Sequence, residues 1–138
     1  MTSQTTPMAQ FHFTVLVVDD DFMMQRVTAG ILNSLGHTGV IVENGALAIE
    51  CLSQREFDLV LLDVMMPVMD GLETLATIRG EEKLSGKYQP IIMLTGHAEP
   101  SDAQRLKQAG ADGYISKPVN PDQLKFEMNR VMFHLSSN

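Results

Sequence analysis

At 138 residues the chain is one domain by size, long enough to bury a substantial core without staples. Its 44% hydrophobic and 20% charged residues are those of a soluble globular protein, and a net charge of -7 argues against a nucleic-acid-binding surface, which is normally basic. Cys51 is the single cysteine, so a disulfide framework and a thiolate metal site are both excluded; it reads as a small hydrophobe on a helix.

Residues 1–10 carry neither a basic segment nor an apolar stretch and read as a flexible leader, which leaves residues 11–138 as the expected domain. No apolar run approaches a membrane span, so the expectation is a cytoplasmic protein without membrane contact. The first apolar run, Val15-Leu16-Val17-Val18, ends in Asp19-Asp20-Asp21. Met23, Val27, Ile31 and Leu35 then recur at i+4 with Gly36 behind them, which predicts a helix over 22–35. A strand over 39–42 leads through Asn44-Gly45 to a helix near 46–53. The run Leu59-Val60-Leu61-Leu62 ends in Asp63, and Met66-Pro67 and Asp70-Gly71 shape a turn out of it. Leu72, Leu75 and Ile78 predict a helix over 71–79, and the polar stretch 80–89 reads as a surface loop before Pro90.

Ile91-Ile92-Met93-Leu94 ends in Thr95, a polar helix spans 101–109 before Gly110, and Tyr114-Ile115-Ser116 ends in Lys117. Asn120-Pro121-Asp122 has the form of a helix start, and Leu124, Met128, Val131 and Leu135 continue an apolar stripe. Strand and helix thus alternate five times. Apolar runs without alternation suit strands buried on both faces, so the pattern predicts a parallel sheet with right-handed crossovers and helices on both sides.

In an open α/β sheet the functional groups gather at the carboxyl ends of the strands. Asp19, Asp20, Asp63, Thr95 and Lys117 would then share one crevice, a set suited to a divalent cation and a phosphoryl group. Adjacent carboxylates repel and raise one another's pKa values, a conflict that a cation resolves. Magnesium takes oxygen ligands and binds through one or two carboxylates plus phosphate oxygens. On this reading Asp19 and Asp20 are metal ligands, while Asp21 reads as an acid complementing a helix N-terminus. Asp63 is either a third ligand or a nucleophile, since carboxylates form aspartyl-phosphates. The backbone carbonyl of Met65 is placed to complete the coordination.

The motifs Val17-Val18-Asp19-Asp20-Asp21, the stretch from Asp63 through Met65-Met66-Pro67 to Asp70-Gly71, Leu94-Thr95-Gly96 and Gly110-Ala111-Asp112-Gly113-Tyr114-Ile115-Ser116-Lys117-Pro118 occur in this order. Together they resemble the response-regulator receiver domain of two-component signalling, single-domain and chemotaxis-regulator-like, over about residues 13–135. The resemblance implies a flavodoxin-like (βα)5 fold with strand order 2-1-3-4-5. It implies that Asp63 is the phosphoacceptor, fed by a phosphohistidine on a sensor histidine kinase or histidine phosphotransfer protein. It further implies that Asp20 binds Mg2+ directly, Asp19 through water and Met65 through its carbonyl, and that Lys117 pairs with phosphate oxygens behind a cis Lys117–Pro118 bond.

Thr95 and Tyr114 match the family's switch pair, which remodels the surface formed by the fourth and fifth helices and the strand between them for an unknown downstream protein. Met65 and His97 match positions that tune the lifetime of the acyl phosphate, although His97 also reads as an exposed loop residue. Gly96 stands where alanine or serine is more usual. The resemblance implies a self-catalysed phosphotransfer switch rather than an enzyme, with phosphorylation-dependent dimerisation left open.

Two alternatives differ from a stand-alone receiver switch. One is a receiver excised from a longer hybrid kinase or multidomain regulator. The other is a phosphatase of the haloacid dehalogenase type, for which Asp19 and Asp21 supply the acid pair but Met23 stands where threonine or valine is wanted. Gly80 to Gly86-Lys87 is a poor phosphate-binding loop, because Tyr88 follows the lysine.

Overall fold

Each apolar run becomes one strand of a parallel sheet in the computed structural model, which describes residues 11–66, 68–96 and 100–136. The strands are β1 (Thr14–Val18), β2 (Thr38–Val42), β3 (Leu59–Asp63), β4 (Ile91–Thr95) and β5 (Gly113–Ser116), in the order β2-β1-β3-β4-β5. Every pairing is parallel, with Val18 beside Leu62, Asp63 beside Leu94 and Thr95 beside Ser116. That register aligns the carboxyl ends of β1, β3, β4 and β5.

Five helices alternate with the strands among the described residues: α1 (Phe22–Ser34), α2 (Gly45–Gln54), α3 (Gly71–Ser85), α4 (Pro100–Gln108) and α5 (Pro121–Ser136). Short polar side chains start four of them. Asp21 accepts from the amides of Met23 and Met24, Asn44 from Leu47, Asp70 from Glu73, and Asn120 from Asp122 and Gln123. Such caps satisfy amides that have no partner inside the helix, and each stabilises by about 1 kcal/mol.

The lack of alternation in the strands now has its cause. Val15, Val17, Leu59, Leu61, Ile92 and Leu94 point to one face, where they meet Leu32 of α1 and Leu124, Met128 and Val131 of α5. Leu16, Val18, Val60, Leu62, Ile91 and Met93 point to the other, against Ala48, Leu75, Ile78 and Leu106 of the middle three helices. Burial of one such aliphatic side chain contributes about 1.5 to 3 kcal/mol, so both faces must be apolar for the sheet to sit between helices.

One element departs from the sequence reading. The third helix does not end at Arg79; it continues to Ser85 and closes on Gly86, whose φ of 79° is left-handed. Glu81, Glu82, Lys83 and Leu84 are good helix formers, and Gly80 alone is too weak a breaker to stop them. The loop before β4 is correspondingly short. Residues 1–10, the side chain of Leu135 and the whole of His97 lie outside the described residues. No helix among the described residues is long and apolar enough to cross a membrane.

Candidate functional site

Strand ends carry the polar groups toward one another. Asp19 follows β1 directly and is fully buried, Asp63 closes β3 and is 1% exposed, and Asp20 stands in the exposed loop before α1. Carboxylate oxygens of these three residues lie within 4.8 Å of one another. Across the sheet, Lys117 follows β5 and its Nζ donates to Asp63 Oδ2 at 3.1 Å. Its backbone amide donates to the carbonyl of Thr95 at 2.8 Å, and the Lys117–Pro118 peptide is cis. Thr95 closes β4 and is 3% exposed.

The loop that follows Asp63 is held tightly. The Met65 amide donates to Asp63 Oδ1 at 3.2 Å, and the Gly71 amide donates to the Val64 carbonyl at 2.9 Å. Gly71 brings the start of α3 onto the end of β3 so closely that a Cβ there would collide with the Asp63 carbonyl. Between them Val68 has φ of 69°, a conformation that a β-branched residue adopts only under constraint. The Met65 side chain is 73% exposed at the rim of the pocket.

Electrostatics in the pocket are unbalanced. Asp19 Oδ1 accepts the Asp21 amide at 2.9 Å, but Asp19 Oδ2 is buried with no hydrogen-bond partner. Burial, aided by the neighbouring Asp63 charge, pushes the Asp19 carboxyl up to about 6, while the Asp21 amide and the Lys117 ammonium pull the other way. A buried carboxylate oxygen without a donor, facing two more carboxylates, is the donor set of a hard cation. The residues present therefore fit a divalent metal.

Asp21 does not join that set; its carboxylate is taken up capping α1. The acids that converge are thus Asp19, Asp20 and Asp63, rather than the Asp19 and Asp21 pair that a phosphatase of the haloacid dehalogenase type would use. Tyr114 lies apart from the carboxylates at the outer edge of β5, 37% exposed, with its backbone paired to Met93 of β4. Gln25 was not anticipated from the sequence. Its side-chain amide donates to the Asp19 carbonyl at 2.7 Å, bracing the acidic loop from the first turn of α1. Nothing in a lone glutamine on a helix marks that contact.

The family model of the response regulator receiver domain matches residues 15–129. The chain is 34% identical over 122 residues to the chemotaxis protein CheY-3 of Vibrio cholerae, covering 88% of this chain and 92% of that protein. It is 39% identical over 111 residues to the sensor protein GacS of Pseudomonas syringae, but there it spans 80% of this chain and only 12% of the relative. Among solved structures, the chemotaxis response regulator CheY4 of Vibrio cholerae has a TM-score of 0.79 at 31% identity, covering 88% of this chain and 99% of that one.

Proposed function

The chain belongs to the response-regulator receiver family of two-component signalling, and from that premise we propose that it is a Mg2+-dependent phosphoacceptor switch whose acceptor is Asp63. The observation that carries the reading is the Lys117 ammonium 3.1 Å from the buried Asp63, inside a pocket that holds two further carboxylates.

Asp19, Asp20, Asp63 and the Met65 carbonyl would hold the ion, which supplies positive charge against the phosphoryl oxygens. The remaining work belongs to the chain. A carboxylate oxygen of Asp63 attacks the phosphorus of a phosphohistidine on a sensor kinase or phosphotransfer protein. The P–O bond forms as the P–N bond breaks, and the imidazole leaves. Lys117 exchanges its contact with the Asp63 carboxylate for one with a phosphoryl oxygen. Thr95, at the adjoining strand end, turns its hydroxyl to the new acceptor oxygens. Tyr114 then moves inward behind it and alters the surface of α4, β5 and α5, which a downstream protein reads. Residues 11–138 form the receiver, acting in the cytoplasm.

Incubation with acetyl phosphate and Mg2+ should add one phosphoryl group, mapped to Asp63 by mass spectrometry, and Asp63→Ala should stay unlabelled. Equal labelling of the variant would sink the acceptor assignment. The likeness to a short part of GacS favours a second setting, a receiver within a longer hybrid kinase. The mass of the natural gene product decides between the two.

A further inference from the structure

The outer edge of β5 is closed by two side chains of α5. In a parallel pairing alternate residues turn their backbone groups away from the neighbouring strand, and here those are the Asp112 carbonyl and the Tyr114 amide. The Tyr114 amide donates to Glu127 Oε2 at 3.0 Å, and Arg130 Nη2 donates to the Asp112 carbonyl at 2.9 Å. The two side chains also hold each other. Arg130 Nε lies 3.0 Å from Glu127 Oε1 and Nη2 lies 2.8 Å from Oε2, a bidentate pair of fixed geometry. The Glu127 side chain is 12% exposed.

Gly113 makes this approach possible, since a Cβ there would collide with Glu127 Oε2 and crowd Arg130 Nη2. An edge strand has only one neighbour, so without this contact the backbone at Tyr114 is restrained from the β4 side alone. The aromatic ring hangs from that backbone. Its resting orientation is defined only as well as the Cα position that carries it.

We propose that Glu127, braced by Arg130, is a positioning residue for the Tyr114 switch: it latches the edge-strand backbone to α5 so that the ring keeps a single resting orientation until Asp63 is phosphorylated. This rests on the reading of Tyr114 as the switch residue. The latch lies outside the acidic pocket, so its removal leaves phosphorylation of Asp63 intact while blurring the ring's response. Glutamine at position 127 retains an acceptor oxygen for the Tyr114 amide and preserves most of the effect, whereas alanine does not.

The chain has two tyrosines and no tryptophan, so fluorotyrosine labelling yields two 19F resonances, and Tyr88→Phe identifies them. Parent, Glu127→Ala and Glu127→Gln are compared with and without acetyl phosphate and Mg2+, with phosphorylation quantified by mass spectrometry. In Glu127→Ala the resting Tyr114 resonance should move toward the phosphorylated position, cutting the phosphorylation-induced shift by half or more. Hydrogen exchange at the Tyr114 amide should accelerate about tenfold, the size of one hydrogen bond to a charged group. Glu127→Gln should restore both. A Tyr114 response identical in parent and Glu127→Ala, at equal phosphorylation, overturns the latch alone. A parent resonance that ignores phosphorylation overturns the switch reading, and the latch with it.

Discussion

The two ends of the sheet treat charge in opposite ways. At the amino ends of β4 and β5 the chain completes its own electrostatics around Arg79. Its guanidinium donates to the Gly110 and Gln89 carbonyls at 3.0 and 2.8 Å, to Glu82 at 2.5 Å and to Asp112 at 3.1 Å. The Tyr88 ring lies 4.6 Å beneath it, and the Tyr88 hydroxyl donates to the second oxygen of Asp112. At the carboxyl ends three carboxylates converge, one ammonium pairs with Asp63, and a buried oxygen of Asp19 has no donor. The satisfied cluster fastens loops together. The unsatisfied one holds crowded like charges, which a bound cation would relieve.

The sharpest way to break this contrast is Arg79→Ala. It strips the cation from two carboxylates whose side chains are 15% and 12% exposed, and should destabilise by about 3 kcal/mol in urea melts, a typical effect of leaving such a charge unpaired. A loss below about 1 kcal/mol would mean that the cluster is a surface feature.

Asp63→Asn should act in the opposite direction. Without metal it removes one of three crowded charges while keeping the shape, and should stabilise by about 1 kcal/mol, the lost Lys117 contact offsetting part of a larger gain. Millimolar Mg2+ should narrow the gap, because the parent pocket binds the ion better. Melts of both proteins in chelator and in Mg2+ test this. A variant less stable than the parent in chelator would show that the carboxylates do not repel.

The two ends should also titrate oppositely. Asp19, raised to about 6 in the folded state against an ordinary 3.8, favours the folded protein when protonated; its contribution is complete below 3.8 and is lost as pH rises through 6. Metal-free protein should therefore gain about 1 kcal/mol from Asp19 between pH 7 and pH 5. At the amino end, burial lowers His37 from its ordinary 6.5, with the His12 charge adding to the shift and Asp58 opposing it. Its Nδ1 accepts the Phe13 amide at 3.1 Å, a bond that a protonated ring forfeits. That contribution is present above pH 6.5 and is lost as pH falls through the lowered value. In chelator, Asp19→Asn should remove the gain on acidification and His37→Gln the loss. Unchanged pH profiles in both variants would refute the assignment.

Much of this was readable before folding. Strands buried on both faces have to be apolar throughout, so β1, β3 and β4 announce themselves, and an acid behind such a run marks a strand end. Asp19, Asp20, Asp63, Thr95 and Lys117 were recognisable on that ground, although which of them touch was not. The 71–85 helix was misread because a glycine and a charged tail resemble a loop locally. Its last turns are held by Glu82, which accepts from Arg79 and from the Gln89 amide.

By itself the sequence determined the parallel sheet, the order of its elements and the residues at its carboxyl edge, because these follow from hydrophobic period and from caps that act within a few residues. Only the tertiary structure decided that Lys117 meets Asp63 across 54 positions, that a buried oxygen of Asp19 is left without a donor, and that Glu127 and Arg130 close the edge beside Tyr114. Those contacts depend on strand order, register and burial, and local sequence carries no trace of a partner that distant.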